Sequence, residues 1–189
     1  MVNENIPEYT KDQQELLPKM VAFLNGPEKI FLLTGWPGTG KTFMTKVVLA
    51  AHIAADKASY GGSMDMNVAG ICLAHQAKNV LGEHIPRVFT FAKAYGMKEQ
   101  IDEHTGKRSF VHNKYEQDVI IGKATIPVFV HDEVSQYTQD MLDIVIETTS
   151  MFSKILFIGD RAQLPPIDPD NKMGKDADSP VFNLNIPES

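Results

Sequence analysis

The chain has 189 residues, enough for one globular domain with a core of its own and room for a small extra lobe. It is 43% hydrophobic and 22% charged; its apolar runs fall short of the roughly 20 residues a membrane span needs, and its polar first residues are unlike a secretory leader. A formal charge of -6 and a pI near 5.5 argue against a broad basic surface holding nucleic acid through its phosphates, and the single cysteine, Cys72, excludes an internal disulfide framework and fits a reducing, cytoplasmic setting.

In chain order, a polar leader, Met1 to Tyr9, precedes a stretch in which Leu16, Leu17, Met20, Val21 and Leu24 recur at helical spacing. Asn25-Gly26-Pro27 supplies the residues expected where that helix stops. The apolar run Ile30 to Thr34 reads as a buried strand, followed by a glycine-rich turn and a long helix from about Lys41 to Ala55. Val68 to Leu73 reads as a strand and Gln76 to Leu81 as the helix after it. The strand Val128 to Val130, a helix from about Gln139 to Thr148 and the strand Ile155 to Ile158 continue the alternation. Such alternation predicts an α/β fold, a parallel sheet with helices on both faces and its ligand at the carboxyl ends of the strands.

Between Tyr95 and Thr125 the chain turns polar and charged, with a turn-like His104-Thr105-Gly106-Lys107 flanked by Gln100-Ile101 and Ser109-Phe110-Val111. A small inserted β-hairpin is predicted there. The expected organisation is a nucleotide-binding domain over 1–94 and 126–189 with a hairpin lobe over 95–125. The tail from Asp168 to Ser189, rich in Pro, Asp and Asn, reads as an irregular connection.

Three segments carry chemistry. Gly35-Trp36-Pro37-Gly38-Thr39-Gly40-Lys41-Thr42 satisfies G-x-x-x-x-G-K-[ST] between an apolar strand and a helix, the context a P-loop requires. Glycines let backbone N–H groups close around phosphates, and the helix N-terminus adds partial positive charge. Lys41 is then expected at the β- and γ-phosphates of ATP and the Thr42 hydroxyl on Mg2+; the plain alternative is a chance glycine-rich turn. A P-loop also needs an acid at the end of a neighbouring strand, and Val128-Phe129-Val130-His131-Asp132-Glu133 offers it. Asp132 is the candidate metal partner and Glu133 the candidate base for the attacking water, or else merely a cap for the following helix. The third segment, Phe157 to Ile167, contains Gly159-Asp160-Arg161-Ala162-Gln163-Leu164-Pro165-Pro166. It places Gln163 where a sheet-end loop can sense the γ-phosphate, on a loop stiffened by two prolines.

In the order GWPGTGKT, HDEVS, GDRAQLPPI these segments resemble superfamily 1 helicases of the RecD-like branch, phage members especially, and the likeness runs from about Thr10 to Phe182. The resemblance implies a RecA-like P-loop motor domain with ATP and Mg2+ as cofactors. Its implied partners are single-stranded DNA and a second RecA-like domain, with no membrane. It further implies that Gln13, in Thr10-Lys11-Asp12-Gln13, reads the adenine edge, with Gln14 as runner-up. His75, in Ala74-His75-Gln76, and Thr90 and Lys93, in Thr90-Phe91-Ala92-Lys93, fall on segments that touch DNA in the family, and Phe110 would be the aromatic tip of a duplex-splitting pin. The chain departs from the family on those DNA segments, with Leu73-Ala74 in place of Pro-Thr and Ala92-Lys93 in place of His-Ser. Its ATP motifs are intact. A second domain supplies arginine to the transition state in the family, and the residues after Gln163 do not offer that set. Part of a longer helicase and a stand-alone relative are both compatible with that, the ragged tail favouring the former.

Two other readings of the loop exist. A nucleotide kinase needs an acceptor pocket and a lid with arginines, and arginine here is confined to Arg87, Arg108 and Arg161. A regulatory module that folds around ATP has no use for the second acid of the Asp132-Glu133 pair.

Overall fold

A computed structural model of the chain describes residues 9–60, 68–73, 81–82, 85, 87–101, 108–113, 127–166 and 177–186. Helix α1 (Lys11–Asn25) begins with a reciprocal cap. The Gln13 N–H donates to the Thr10 hydroxyl at 3.3 Å, and the Thr10 N–H donates to the Gln13 side-chain oxygen at 3.1 Å. Its buried face is Met20, Phe23 and Leu24, with Leu16 and Leu17 packed partly against the core. Val21, expected on that face, is instead exposed, and Phe23 takes the inward place. Residues 16, 20, 23 and 24 share one side of a 3.6-residue period, whereas 21 lies roughly 100° around from 20. Beyond the helix, the Lys154 ammonium donates to the Gly26 and Glu28 carbonyls at 2.8 and 2.9 Å and lies 5.0 Å over the Phe23 ring.

The described strands are β1 (Ile30–Thr34), β2 (Val68–Cys72), β3 (Val88–Thr90), β4 (Met97–Ile101), β5 (Arg108–His112), β6 (Val128–His131) and β7 (Lys154–Gly159). Five of them form a parallel sheet in the order β1-β7-β6-β2-β3. The alternation did not predict β3, which at 3 residues is too short to display a period. The phosphate-loop strand and the acid strand were expected to be neighbours, and they are not: β7 lies between them. Thr34 stands beside Gly159 and His131 beside Phe157, so the loops after β1, β7 and β6 leave from the same end of the sheet.

Successive strand residues point to opposite faces, and both faces are covered. On one, Phe31, Leu33, Val128, Val130, Leu156 and Ile158 pack with residues of α1 and of α2 (Lys41–Tyr60), which runs past the Ala55 expected for it. On the other, Leu32, Ala69, Ile71, Phe129, Ile155 and Phe157 meet α3 (Phe91–Ala94), α4 (Gln139–Thr148) and two 3-10 turns, η1 (Val134–Gln136) and η2 (Pro180–Asn183). Each fully buried Leu, Ile, Val or Phe in such a layer contributes about 1.5–3 kcal/mol. Helix α4 keeps its predicted bounds, its start set by Thr138, whose hydroxyl accepts the Met141 N–H at 3.3 Å. Of the helix predicted over Gln76 to Leu81, only Leu81 is among the described residues, and it is buried.

Strands β4 and β5 pair antiparallel as a separate two-stranded sheet between β3 and β6 in the chain. Phe110 was expected at the hairpin tip. Its register instead places it within β5, opposite Glu99, while the turn residues His104 to Lys107 lie outside the described residues. Part of the tail also differs from the irregular connection predicted for it. Over 177–186 it forms η2, and Val181 and Phe182 are buried in the second layer. A Cβ added at Gly159 would come within 2.8 Å of Val134 and 3.1 Å of Phe182, so only glycine lets η2 close on the end of β7. The Arg161 guanidinium fastens this contact, donating to the Phe182 carbonyl at 2.9 Å with its carbon 4.8 Å from the ring centre. Among the described residues, no helix is long and apolar enough to cross a membrane.

Candidate functional site

The phosphate loop leaves β1 at Gly35 and enters α2 at Lys41. Gly38 and Gly40 have φ of 77° and 86°, a region that side chains with a Cβ rarely adopt. The Trp36 carbonyl gathers the loop, accepting from the Thr39 N–H at 3.3 Å, the Thr39 hydroxyl at 2.9 Å and the Lys41 ammonium at 3.0 Å. Lys41 also donates to the Gly35 carbonyl, so its charge lies within the curl of the loop. Pro37 is exposed on the turn, and Thr42 stands half-buried as the second residue of α2.

Gln13 reaches this loop from α1. Its Nε2 donates to the Thr39 carbonyl at 3.1 Å, and a Cβ at Gly40 would come within 2.7 Å of the same nitrogen. Gln14, the alternative, turns away, donating to the Tyr9 carbonyl at 2.9 Å. The Gln13 amide is thus shared between the α1 cap and the loop, with one hydrogen and one lone pair still free.

The acid loop begins where β6 ends. The Asp132 N–H donates to the Ile71 carbonyl, and Asp132 Oδ1 accepts the Glu133 N–H, both at 2.9 Å. Burial raises the Asp132 carboxyl above its ordinary value, although the Glu133 amide and the positive charge of Lys41 oppose the shift. Burial and then the Asp132 charge raise Glu133 as well. Glu133 has φ 58°, ψ 36°, making it the one non-glycine residue with positive φ among those described. That left-handed conformation costs roughly 1–2 kcal/mol for a residue with a Cβ. Glu133 precedes η1, but its side chain makes no capping bond there, so the reading of it as a mere helix cap has no support in the geometry.

The third loop leaves β7 beside the first. Asp160 shapes it, with Oδ1 accepting the Ala162 N–H at 2.9 Å and its carbonyl accepting the Gln163 N–H at 3.1 Å. Gln163 itself meets the acid loop: the buried Ser135 hydroxyl donates to its Oε1 at 3.4 Å. Ser135 was not predicted, although its place two residues after Glu133 was available as a signal.

Sequence reasoning also missed a buried polar group directly behind the acids. His131 is fully buried, with Nε2 3.2 Å from the Tyr95 hydroxyl and Nδ1 3.1 Å from the Tyr137 hydroxyl. Burial lowers the imidazole to about 3, so it is neutral, and burial likewise raises both phenols above their ordinary value. The signal was a histidine ending the apolar run Val128-Phe129-Val130.

The DNA candidates gather less closely. The Thr90 hydroxyl caps α3 by accepting the Lys93 N–H at 3.3 Å, and Lys93 is exposed on the same turn. Phe110 belongs to the hairpin, and His75 lies outside the described residues. The structure brings Gln13, Gly35 to Thr42, Asp132, Glu133 and Gln163 to one end of the sheet, and Thr90 and Lys93 to the end of the edge strand β3.

The residues fit a magnesium nucleotide. The glycine curl leaves its backbone open to an approaching phosphate; a Cβ at Gly38 would meet nothing within 4 Å. Asp132 feels the Lys41 charge across the site. Among the described residues no group of three or more His, Cys, Asp or Glu stands ready to hold a metal alone. Magnesium characteristically takes one or two carboxylates together with substrate phosphates and water, which suits a hydroxyl and a single acid.

Comparison with known proteins places the chain in context. The family model described as AAA domain matches residues 8–181. The ATP-dependent DNA helicase dda of Enterobacteria phage T4 is 30% identical over 146 residues, which is 72% of this chain and 28% of that protein. The chain therefore spans little more than a quarter of that relative's length. A solved large terminase from a thermophilic bacteriophage is similar over 81% of this chain and 39% of that one, with 14% identity and a TM-score of 0.43.

Proposed function

The chain belongs to the AAA domain family, and on that premise we propose that it is the ATP-binding and hydrolysing motor domain of a DNA helicase. The observation that carries this is the convergence of three loops at one sheet end. Lys41 acts electrostatically on Asp132, and Ser135 bridges the acid loop to Gln163. The three motifs share the superfamily 1 pattern, and the match to a phage helicase agrees with that assignment.

In this reading the loop Gly35 to Thr42 binds the triphosphate of ATP, with Pro37, Gly38, Thr39 and Gly40 shaping it, and Gln13 reads the adenine edge with its free hydrogen and lone pair. Lys41 leaves the Gly35 and Trp36 carbonyls for the β- and γ-phosphates. Thr42 and Asp132 would hold magnesium, which supplies charge neutralisation on the phosphate oxygens. Glu133 orients the attacking water and takes its proton; its raised pKa brings it closer to the working pH of a general base. Gln163 senses the γ-phosphate and passes its loss to the acid loop through Ser135. Single-stranded DNA would run past Thr90, Lys93 and His75, with the hairpin lobe over 95–125 near the fork. A second RecA-like domain would close over the nucleotide and bring the arginine, an addition worth about 10³–10⁵ in rate.

Trp36, the only tryptophan, is 71% exposed on the phosphate loop, where its fluorescence should respond to a ligand. Titration with ATP should change its fluorescence saturably and only with magnesium. Phosphate release by the chain should be slow and should respond to single-stranded DNA chiefly when a second motor domain is supplied. Lys41→Ala should weaken binding by about 100-fold, in line with loss of a charge-assisted contact worth about 3 kcal/mol. Absence of magnesium-dependent binding in the native chain, or full binding and turnover in Lys41→Ala, would overturn the assignment.

A further inference from the structure

Glu133 is the residue whose side chain the proposed reaction needs most, and it stands in the backbone region least natural to it. Something must hold it there. Among the residues flanking it, His131 and Tyr137 bracket the segment Asp132 to Gln136, and the imidazole Nδ1 meets the Tyr137 hydroxyl at 3.1 Å. This contact closes the acid loop across its base. On its other side the same ring meets Tyr95 at 3.2 Å, a contact between residues 36 apart in the chain. Tyr95 is the C-cap of α3 and is followed by Gly96, whose φ of 62° turns the chain into β4.

The surroundings are otherwise largely aromatic, with the buried Thr149 side chain beside the Tyr95 hydroxyl. Phe91 lies 4.6 Å from the Tyr95 ring and 5.3 Å from the Tyr137 ring, and Phe157 lies 5.3 Å from His131. A phenylalanine or leucine at 131 would satisfy such a layer without any need for partners. A neutral imidazole has one donor and one acceptor, and each is met by a hydroxyl that can play either part. A fully matched buried polar group of this kind selects one arrangement of the segments around it.

We propose that His131 is a positioning residue: bonded to Tyr137 it staples the acid loop so that Glu133 is held in its left-handed conformation, and bonded to Tyr95 it ties that loop to the turn carrying the hairpin. A displacement of the α3–β4 turn then reaches Glu133 through two hydrogen bonds, without passing through the phosphate loop. The catalytic consequence rests on the functional reading above; the staple itself does not.

Both arms are testable in the full chain with Tyr137→Phe and Tyr95→Phe, which remove one oxygen each and keep the ring. The Glu133, Gln136 and Tyr137 amides are bonded within the acid loop, to Asp132 Oδ1 and to the Glu133 and Val134 carbonyls, so their hydrogen exchange reads the staple. Tyr137→Phe should speed their exchange at least tenfold, and Tyr95→Phe about threefold although its hydroxyl never touches them, with the β1 and β7 amides unchanged. Exchange that is unaltered, or accelerated equally throughout the sheet, overturns the proposal. Magnesium-ATP affinity, followed through Trp36, should stay within about twofold, while the single-turnover rate falls about tenfold. An unchanged rate alongside selective exchange overturns the positioning role. If the native chain fails to bind magnesium-ATP, the functional reading falls, and the exchange comparison still decides the staple.

Discussion

Two loops at one sheet end reach the same backbone region by different means. The phosphate loop uses Gly38 and Gly40, with φ of 77° and 86°, while the acid loop uses Glu133, with φ 58°. In the first, the proposed binding is done by the backbone itself, so a residue without a Cβ serves at no steric cost. In the second, the proposed reaction needs a side chain, so glycine would not serve and the neighbourhood must hold a strained residue in place. The difference appears in what lies behind each loop. Gly38 has open space around it, whereas the acid loop is backed by the buried Tyr95, His131, Tyr137 and Phe157. Where a fold needs shape alone it can use composition; where it needs shape and a functional group together it uses tertiary contacts.

The sharpest test of that contrast is Glu133→Gln. The backbone strain and the packing are kept and only the base is lost, so magnesium-ATP binding should persist in a Trp36 fluorescence titration. Single-turnover hydrolysis should fall by about 10²–10⁴, the usual worth of a positioned general base. Loss of binding with turnover, or retention of both, would show that Glu133 is not set apart from the loop in this way.

A smaller effect is expected from the glycines. Gly40→Ala combines a left-handed backbone with a Cβ 2.7 Å from the Gln13 amide, whereas Gly38→Ala has the backbone penalty alone. Both should lower the melting temperature by the equivalent of about 1–2 kcal/mol. Gly40→Ala should additionally loosen the Gln13 tether and weaken ATP binding several-fold more than Gly38→Ala does. Equal binding losses would mean that Gln13 does not matter to the loop.

The mildest effect comes from pH. The folded pKa of Asp132 is raised, chiefly by burial, so the native state holds its proton more tightly than the unfolded chain. That contribution is fully present below the ordinary carboxylate value of about 4 and is lost as pH rises through the folded pKa. Without nucleotide and magnesium, Asp132→Asn should therefore melt higher than the native chain near neutral pH, with the gap closing as pH falls towards 4. A melting-temperature series in which the variant is the less stable throughout would show that the Asp132 bond to the Glu133 amide outweighs its desolvation. The acid is thus expected to reduce the stability of the free protein at the pH where it functions.

Much of the site could be read along the chain. The phosphate loop is a contiguous run whose glycines, lysine and threonine act within a few residues of one another, so spacing alone locates it. Helix α4 starts where predicted because Thr138 caps it locally. The alternation of strands and helices implied a parallel sheet, and the sheet is parallel. Misjudgements occurred where the deciding contact is distant. Phe110 sits at a strand position that only the hairpin register fixes; Val21 is the exception, since the 3.6-residue period by itself sets it roughly 200° around α1 from the buried Phe23.

The sequence by itself determined which residues are candidates to hold phosphate, metal and water, because that chemistry depends on residue type and short spacing. Tertiary structure alone decided that β7 separates the phosphate strand from the acid strand, that Gln13 rather than Gln14 meets the loop, and that His131 lies between two tyrosines. These depend on strand pairings such as Ile30 with Ile155 and on side-chain contacts between residues as far as 36 positions apart. No local propensity encodes such pairings; they emerge when the two faces of the sheet are buried together.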